Sequence, residues 1–316
     1  MSMQPVAVNP WRHRWCLLTL AATLALIFIG GLVTSTGSGL AVPDWPLSYG
    51  MLMPPMVGGV FYEHGHRMAA ATVGLLTLVL AVWTTVDERR RGVRGLAWGA
   101  LAAVAAQGLL GGLTVLYLLP PAISVLHACL AQTFFCLIVA LAYSTSREWR
   151  TAGVTTDEVG LRGAALVAAV VAYGQLILGA VLRHTGAGLA IPDFPLAFGR
   201  LWPAFDRPGV AVHFAHRLGA LMVLGTVLWL LGRSWRSADP RFQRPAALAF
   251  ALVVAQIGLG ATTVLSGKAV LPTTAHVAVG AALLGVVWFT ALRAFRLLRP
   301  PREAHAVRMA ALGDPA

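Results

Sequence analysis

Apolar runs separated by short polar or basic connections make up most of this chain. Eight runs, near 15–36, 66–86, 95–117, 122–144, 161–183, 211–232, 245–265 and 272–294, each extend about 20 residues, the length a helix needs to cross a hydrocarbon core. Lipid offers no partner for a backbone N–H or C=O, so each run is expected to be a helix. The connections alternate in charge. One set carries Arg12, Arg14, Arg89, Arg90, Arg91, Arg94, Arg147, Arg150, Arg233, Arg236, Arg241 and Arg244, and the tail adds Arg293, Arg296, Arg299, Arg302 and Arg308. The other set holds only Arg200, Arg207 and Lys268 away from helix ends. Positive charge marks cytoplasmic loops, so both termini are expected in the cytoplasm. The outer side then has two long Gly- and Pro-rich loops, 37–62 and 184–210, and two short ones near 118–121 and 266–271. Structureless loops of that length are more often functional than idle.

Composition agrees with a membrane protein. The 316 residues are 58% apolar and 11% charged, with a mean hydropathy of +0.74. A soluble domain carries about 25% charged residues, so a water-soluble globule is excluded. The net charge of +12 comes from 23 arginines and the single Lys268, and would suggest nucleic acid in a soluble protein. Nucleic-acid binding needs basic residues gathered on one face beside polar or aromatic readers. These arginines punctuate apolar runs instead, so no nucleic-acid partner is expected. Cys16, Cys129 and Cys136 all lie within apolar runs, which leaves no disulfide framework and no CxxC motif. The first run is too long for a signal-peptide core and reads as a retained span. With no transit peptide ahead of it, a bacterial plasma membrane is expected.

The first half repeats in the second at an offset of 149. The stretch from Gly37 to Leu47, GSGLAVPDWPL, matches GAGLAIPDFPL from Gly186 to Leu196. His66-Arg67 matches His216-Arg217 after one inserted residue, and Gln107, Gly111 and His127 match Gln256, Gly260 and His276. Four spans per half give both copies the same orientation, a parallel repeat about an axis along the membrane normal. The expected fold is an all-α membrane protein of eight transmembrane helices in two tandem, pseudo-two-fold related four-helix bundles. Its parts are a cytoplasmic N-terminus (1–14), a first bundle (15–146), a linker (147–160), a second bundle (161–296) and a cytoplasmic tail (297–316).

Ionisable residues within spans are costly to bury and are functional candidates by default. His66, His127, His216 and His276 stand near the outer starts of spans 2, 4, 6 and 8, so each bundle holds two at similar depth. Two inward imidazoles on different helices are what bis-histidine haem ligation needs, and packing histidines would not be expected in symmetry-related pairs. Zinc or copper fits less well, because no carboxylate or thiol cluster accompanies them. Arg67 and Arg217 follow two of these histidines and are candidate haem-propionate contacts, with snorkelling to lipid headgroups as the alternative. His64, His184 and His213 read as solvent-facing loop or helix-start residues. The repeat breaks at Glu63, whose counterpart is His213. Residues i and i+3 share a helix face, so Glu63 is expected near His66, suited to proton transfer or to stabilising a cationic intermediate. Favourable interaction with the helix macrodipole is the simpler alternative. Asp44 and Asp193, each before an aromatic residue and a proline, read as caps of rigid loop turns.

The chain resembles the haem A synthase family. The resemblance rests on the duplicated G-S/A-G-L-A-x-P-D-W/F-P-L loop, on Glu63-x-x-His66-Arg67, and on the histidines at 127, 216 and 276, and covers nearly the whole length. It implies an oxidoreductase that converts the C8 methyl group of haem O to a formyl group in two successive hydroxylations, giving haem A for terminal oxidases. It further implies that His66 and His127 take the substrate haem, that His216 and His276 hold a haem b cofactor, and that Glu63 is catalytic. Implied partners are haem O synthase, terminal oxidase assembly factors, membrane lipid and an unidentified electron acceptor. Many relatives carry cysteine pairs in the outer loops, where this chain has Val42 and Ser48, and Ile191 and Ala197. Thiol chemistry in those loops is therefore not expected here. An arginine common in the first half is replaced by Thr34-Ser35, whereas Arg183 keeps that place in the second. Two other readings remain: a di-haem electron carrier, and a haem-delivery or assembly protein that leaves its haem unmodified.

Overall fold

The computed structural model describes residues 9–300. Residues 1–8 and 301–316, with Arg302, Arg308 and most of the expected tail, lie outside the described residues. Eight helices among the described residues are long and apolar enough to cross a membrane. They are α1 (Pro10–Ser35), α2 (Gly59–Asp87), α3 (Arg91–Leu116), α4 (Pro121–Thr145), α6 (Leu161–His184), α7 (Pro208–Arg236), α8 (Pro240–Leu265) and α9 (Val270–Leu297). A short helix, α5 (Arg147–Thr151), follows α4, and a 3-10 turn, Ala187–Leu189, lies between α6 and α7. The residue pairs β1 (Thr155–Thr156) and β2 (Leu298–Arg299) form a small parallel ladder that ties the linker to the end of α9.

Most helices run further than their apolar cores, because polar caps complete turns that a hydropathy window does not count. Asn9 accepts from the Trp11 and Arg12 amides at 3.1 and 3.3 Å, and Pro10 fills the first turn, so α1 starts five residues before the apolar run. Asp239 caps α8 through the Arg241 amide at 2.9 Å. Asp157 accepts from Leu161 and Arg162 at 2.7 and 2.9 Å and sets the start of α6. Helix α2 starts at Gly59 rather than 66, which places His66 about 10 Å down the helix at about 1.5 Å per residue.

Helices consecutive in sequence pack side by side within each half, and α4 closes on α1 as α9 closes on α6. Hence α2 stands diagonally across from α4, and α7 from α9. The halves meet where α1 packs on α9, and α4 on α6 and α9. Lipid tails are as apolar as leucine, so close packing holds such helices together rather than escape from solvent. The stripe of buried alanines in α6 (Ala164, Ala165, Ala168, Ala169 and Ala172) permits that close approach. Across the junction Thr133 and Tyr173 share a hydrogen bond of 2.7 Å, and Trp288 donates to the Cys136 carbonyl at 3.0 Å. At the arginine-rich end, buried Glu88 receives Arg12, Arg90 and Arg150 at 2.9, 2.8 and 3.1 Å.

Candidate functional site

Each of the four intramembrane histidines lies on the second helix of a hairpin and faces a glycine on the first. A Cβ placed on Gly30, Gly111, Gly179 or Gly260 would lie 3.0, 3.2, 3.1 or 3.1 Å from Cε1 of His66, His127, His216 or His276, respectively. Bare backbone at these positions lets the Cε1 edge of each ring come up against the neighbouring helix. Gln107 donates to the His127 carbonyl at 2.9 Å, and Gln256 to the His276 carbonyl at 2.8 Å, so each links the two helices of its hairpin.

The paired histidines come from diagonal helices, α2 and α4 in the first half and α7 and α9 in the second. The His216 and His276 ring centroids are 6.3 Å apart, inclined at 68°. A metal bonded to one nitrogen of each ring, at about 2 Å per bond plus about 1.1 Å from nitrogen to centroid, requires about 6.2 Å. Among the described residues no three His, Cys, Asp or Glu side chains are grouped to hold a metal ion. A metal that arrives with ligands of its own would need only two from the protein, and the separation of this pair fits that number.

Above each pair a long loop folds over the helix end. The Asp44 carboxylate accepts from the Tyr49 and Gly50 amides at 2.6 and 2.8 Å, and Asp193 accepts from Phe198 and Gly199 at 2.8 Å each. These bonds, that from the glycine foremost, hold both carboxyls below the usual aspartate range. Tyr49-Gly50 and Phe198-Gly199 have positive φ and close tight turns, and the peptide bonds Trp45-Pro46 and Phe194-Pro195 are cis. Arg67 donates to the Asp44 and Leu47 carbonyls at 2.8 and 2.7 Å, and Arg217 to those of Asp193 and Leu196 at 2.6 and 2.8 Å. In this structure both guanidiniums thus tie helix to loop.

Glu63 is buried beneath the first loop. One carboxylate oxygen accepts from the Val42 amide at 2.8 Å, and the other pairs with Arg67 at 2.6 Å. Its counterpart His213 accepts from the Ile191 amide through Nδ1 at 3.2 Å. The sequence expectation that His64 and His213 face solvent is corrected: both are buried, because the helices start earlier and the loops close over them. His64 shares a 2.8 Å hydrogen bond with Ser48.

Comparison with known proteins decides the family. A family model described as cytochrome oxidase assembly protein matches residues 13–58 and 57–288. A heme A synthase of Symbiobacterium thermophilum is 36% identical over 255 residues, covering 78% of this chain and 83% of that protein. The heme A synthase of Alkalihalophilus pseudofirmus is 28% identical over 290 residues, covering 88% of this chain and 94% of its own length. The chain belongs to the haem A synthase family.

This haem A synthase family member departs from its internal symmetry around the rings. His276 Nδ1 lies 3.1 Å from the Gln256 carbonyl, and His216 Nδ1 lies 3.1 Å from the Gln175 amide nitrogen. The Nδ1 atom of His66, the counterpart of His216, is buried without a protein partner. Arg183 crosses between halves, donating to the Gly31 carbonyl and the Ser35 hydroxyl of α1 at 3.1 and 3.0 Å. Sequence reasoning missed Gln175, the glycines at 30 and 179, and the destination of Arg183. The matching offset of Gly30 and Gly179 was a visible signal for that pair.

Proposed function

We propose that this chain is a haem A synthase that oxidises the C8 methyl group of haem O to a formyl group by two successive hydroxylations. The observation that carries the reading is two pairs of half-buried histidines at matched depth on diagonal helices, each ring set against a glycine of the neighbouring helix, in a member of this family. His66 and His127 hold haem O as substrate in the first bundle, and His216 and His276 hold haem b in the second. The 6.3 Å ring separation supports the second assignment, since it suits one iron between two imidazoles. When bound, haem b supplies one-electron transfer toward an acceptor outside the chain.

The protein's own groups do the rest. The loops pinned by Arg67 and Arg217 cover the pockets and limit entry of water. Glu63, paired with Arg67, is the carboxylate that takes a proton at the substrate side, where the second half has His213. Where haem propionates reach the outer ends, Arg67 and Arg217 are the cations they meet. The arginine-rich end faces the cytoplasm, and both pockets open near the outer face of the plasma membrane.

One observation favours a second reading. Glu63 and His213 accept equivalent loop amides, so Glu63 acts as a loop clamp whether or not it is catalytic. In a di-haem electron carrier or haem-delivery protein that would be its whole role. Expression in a host that makes haem O, followed by chromatography of extracted haems with mass detection, separates these. Hydroxylated and formyl haem are expected. Folded protein yielding neither would reject the enzyme.

A further inference from the structure

Gln175 and Gly219 form a unit that the first half lacks. The Gln175 amide nitrogen lies 2.8 Å from the His216 carbonyl and 3.1 Å from its Nδ1. The other end of the amide rests over Gly219, where a Cβ would stand 2.0 Å from the Gln175 carbonyl oxygen and 3.0 Å from its Cδ. Glutamine therefore fits here only because position 219 has no side chain. At the repeat offsets the first half carries Leu26 in place of Gln175 and Ala69 in place of Gly219. Both members of the unit change together. Leu26 packs into the apolar core of its bundle and offers Nδ1 of His66 nothing.

A histidine that ligates a metal through one nitrogen is oriented by whatever holds the other, and removing that partner costs about 10- to 100-fold in metal affinity. As it stands the Gln175 amide nitrogen donates both to the His216 carbonyl and to Nδ1; ligation through Nε2 needs Nδ1 to donate, which Gln175 serves by turning its oxygen to Nδ1 and giving up the carbonyl bond. His276 Nδ1 donates to the Gln256 backbone carbonyl, so both second-half rings have a protein partner at Nδ1. In the first half Nδ1 of His66, the counterpart of His216, has no protein partner.

We propose that Gln175, seated by Gly219, is a positioning residue that makes the second pair the retained haem site and leaves the first as the exchanging one. This rests on the reading that both pairs ligate haem. A resident cofactor needs slow release, whereas a substrate must enter and its product must leave.

The test uses full-length protein purified from membranes. It measures the rate at which bound haem passes to excess apomyoglobin, and the midpoint potential of the haem that remains. Gln175→Leu and Gly219→Ala are each expected to keep a bis-histidine low-spin spectrum, release the second-half haem about tenfold faster or more, and shift its potential. The double variant is expected to be no worse than either single, because both remove one contact. The paired change Leu26→Gln with Ala69→Gly is expected to slow release from the first pair. Release and potential unchanged in both single variants, while His216→Ala abolishes the bound haem, would overturn the role of Gln175. Wild-type protein whose haem is untouched by His216→Ala would instead remove the ligation reading, and the proposal with it.

Discussion

Glu63 and His213 occupy matching places and accept matching amides, yet only Glu63 brings a negative charge, and it brings it next to Arg67. Glu63→Gln separates the two roles, because the amide oxygen still accepts from Val42 while the charge is gone. If Glu63 moves a proton, formyl-haem production falls about 100-fold or more, with the melting temperature of the purified protein little changed. Full product formation in that variant would assign Glu63 to the loop alone. The aspartates of the loops give a pH prediction at the same scale. A carboxyl held below its ordinary value stabilises fully above that value, near 4, and the contribution fades as pH falls through the lowered native one. Hydrogen exchange of the 36–58 peptide, corrected for intrinsic rates, is therefore expected to stay constant from pH 7 to 5 and rise only in stronger acid. Asp44→Asn should exchange faster throughout and lose much of that acid dependence.

At the level of helices, each histidine depends on the glycine across its hairpin. In α8 and α9 a methyl group at position 260 would stand 3.1 Å from the His276 ring, tighter than side chains tolerate without moving. Gly260→Ala is expected to push the ring off its Gln256 carbonyl and cost about 1–3 kcal/mol of overpacking, read as a lower melting temperature and haem content. Normal haem content and spectrum would show that the ring has room to give. The spans and the histidines were legible because hydrophobic length and repeated ionisable residues survive in one dimension. Helix starts were less so: α2 begins at Gly59 in a stretch with no strong apolar run, and its first turns are shielded by the loop above. That shielding also buries His64 and His213, which no local pattern announces. Gln175 escaped notice because aligning two halves highlights what they share, and its partner Gly219 lies 44 residues away on another helix.

Across the whole molecule, the arginines gathered at one end of the helices bind the chain together. Glu88 gathers Arg12 of α1, Arg90 before α3 and Arg150 of α5, so one carboxylate joins three separate stretches of the first half. Burial opposes its ionisation, but hydrogen bonds from Arg90 and the charges of Arg90 and Arg12 prevail and hold its pKa down to about 2. Arg12 is itself buried, so removing the carboxylate leaves a cation enclosed with less compensation. Breaking one side of such a pair costs about 3 kcal/mol, far more than a surface ion pair contributes. Because the native pKa is lowered, this stabilisation is complete above the ordinary glutamate value of about 4.3 and declines as pH falls toward 2. Glu88→Gln should therefore lower the melting temperature most at neutral pH, and the gap to wild type should narrow steadily below pH 4. Thermal melts of the purified protein between pH 7 and 3 check this, and a gap independent of pH would show that the arginines are held by packing and carbonyls rather than by this charge.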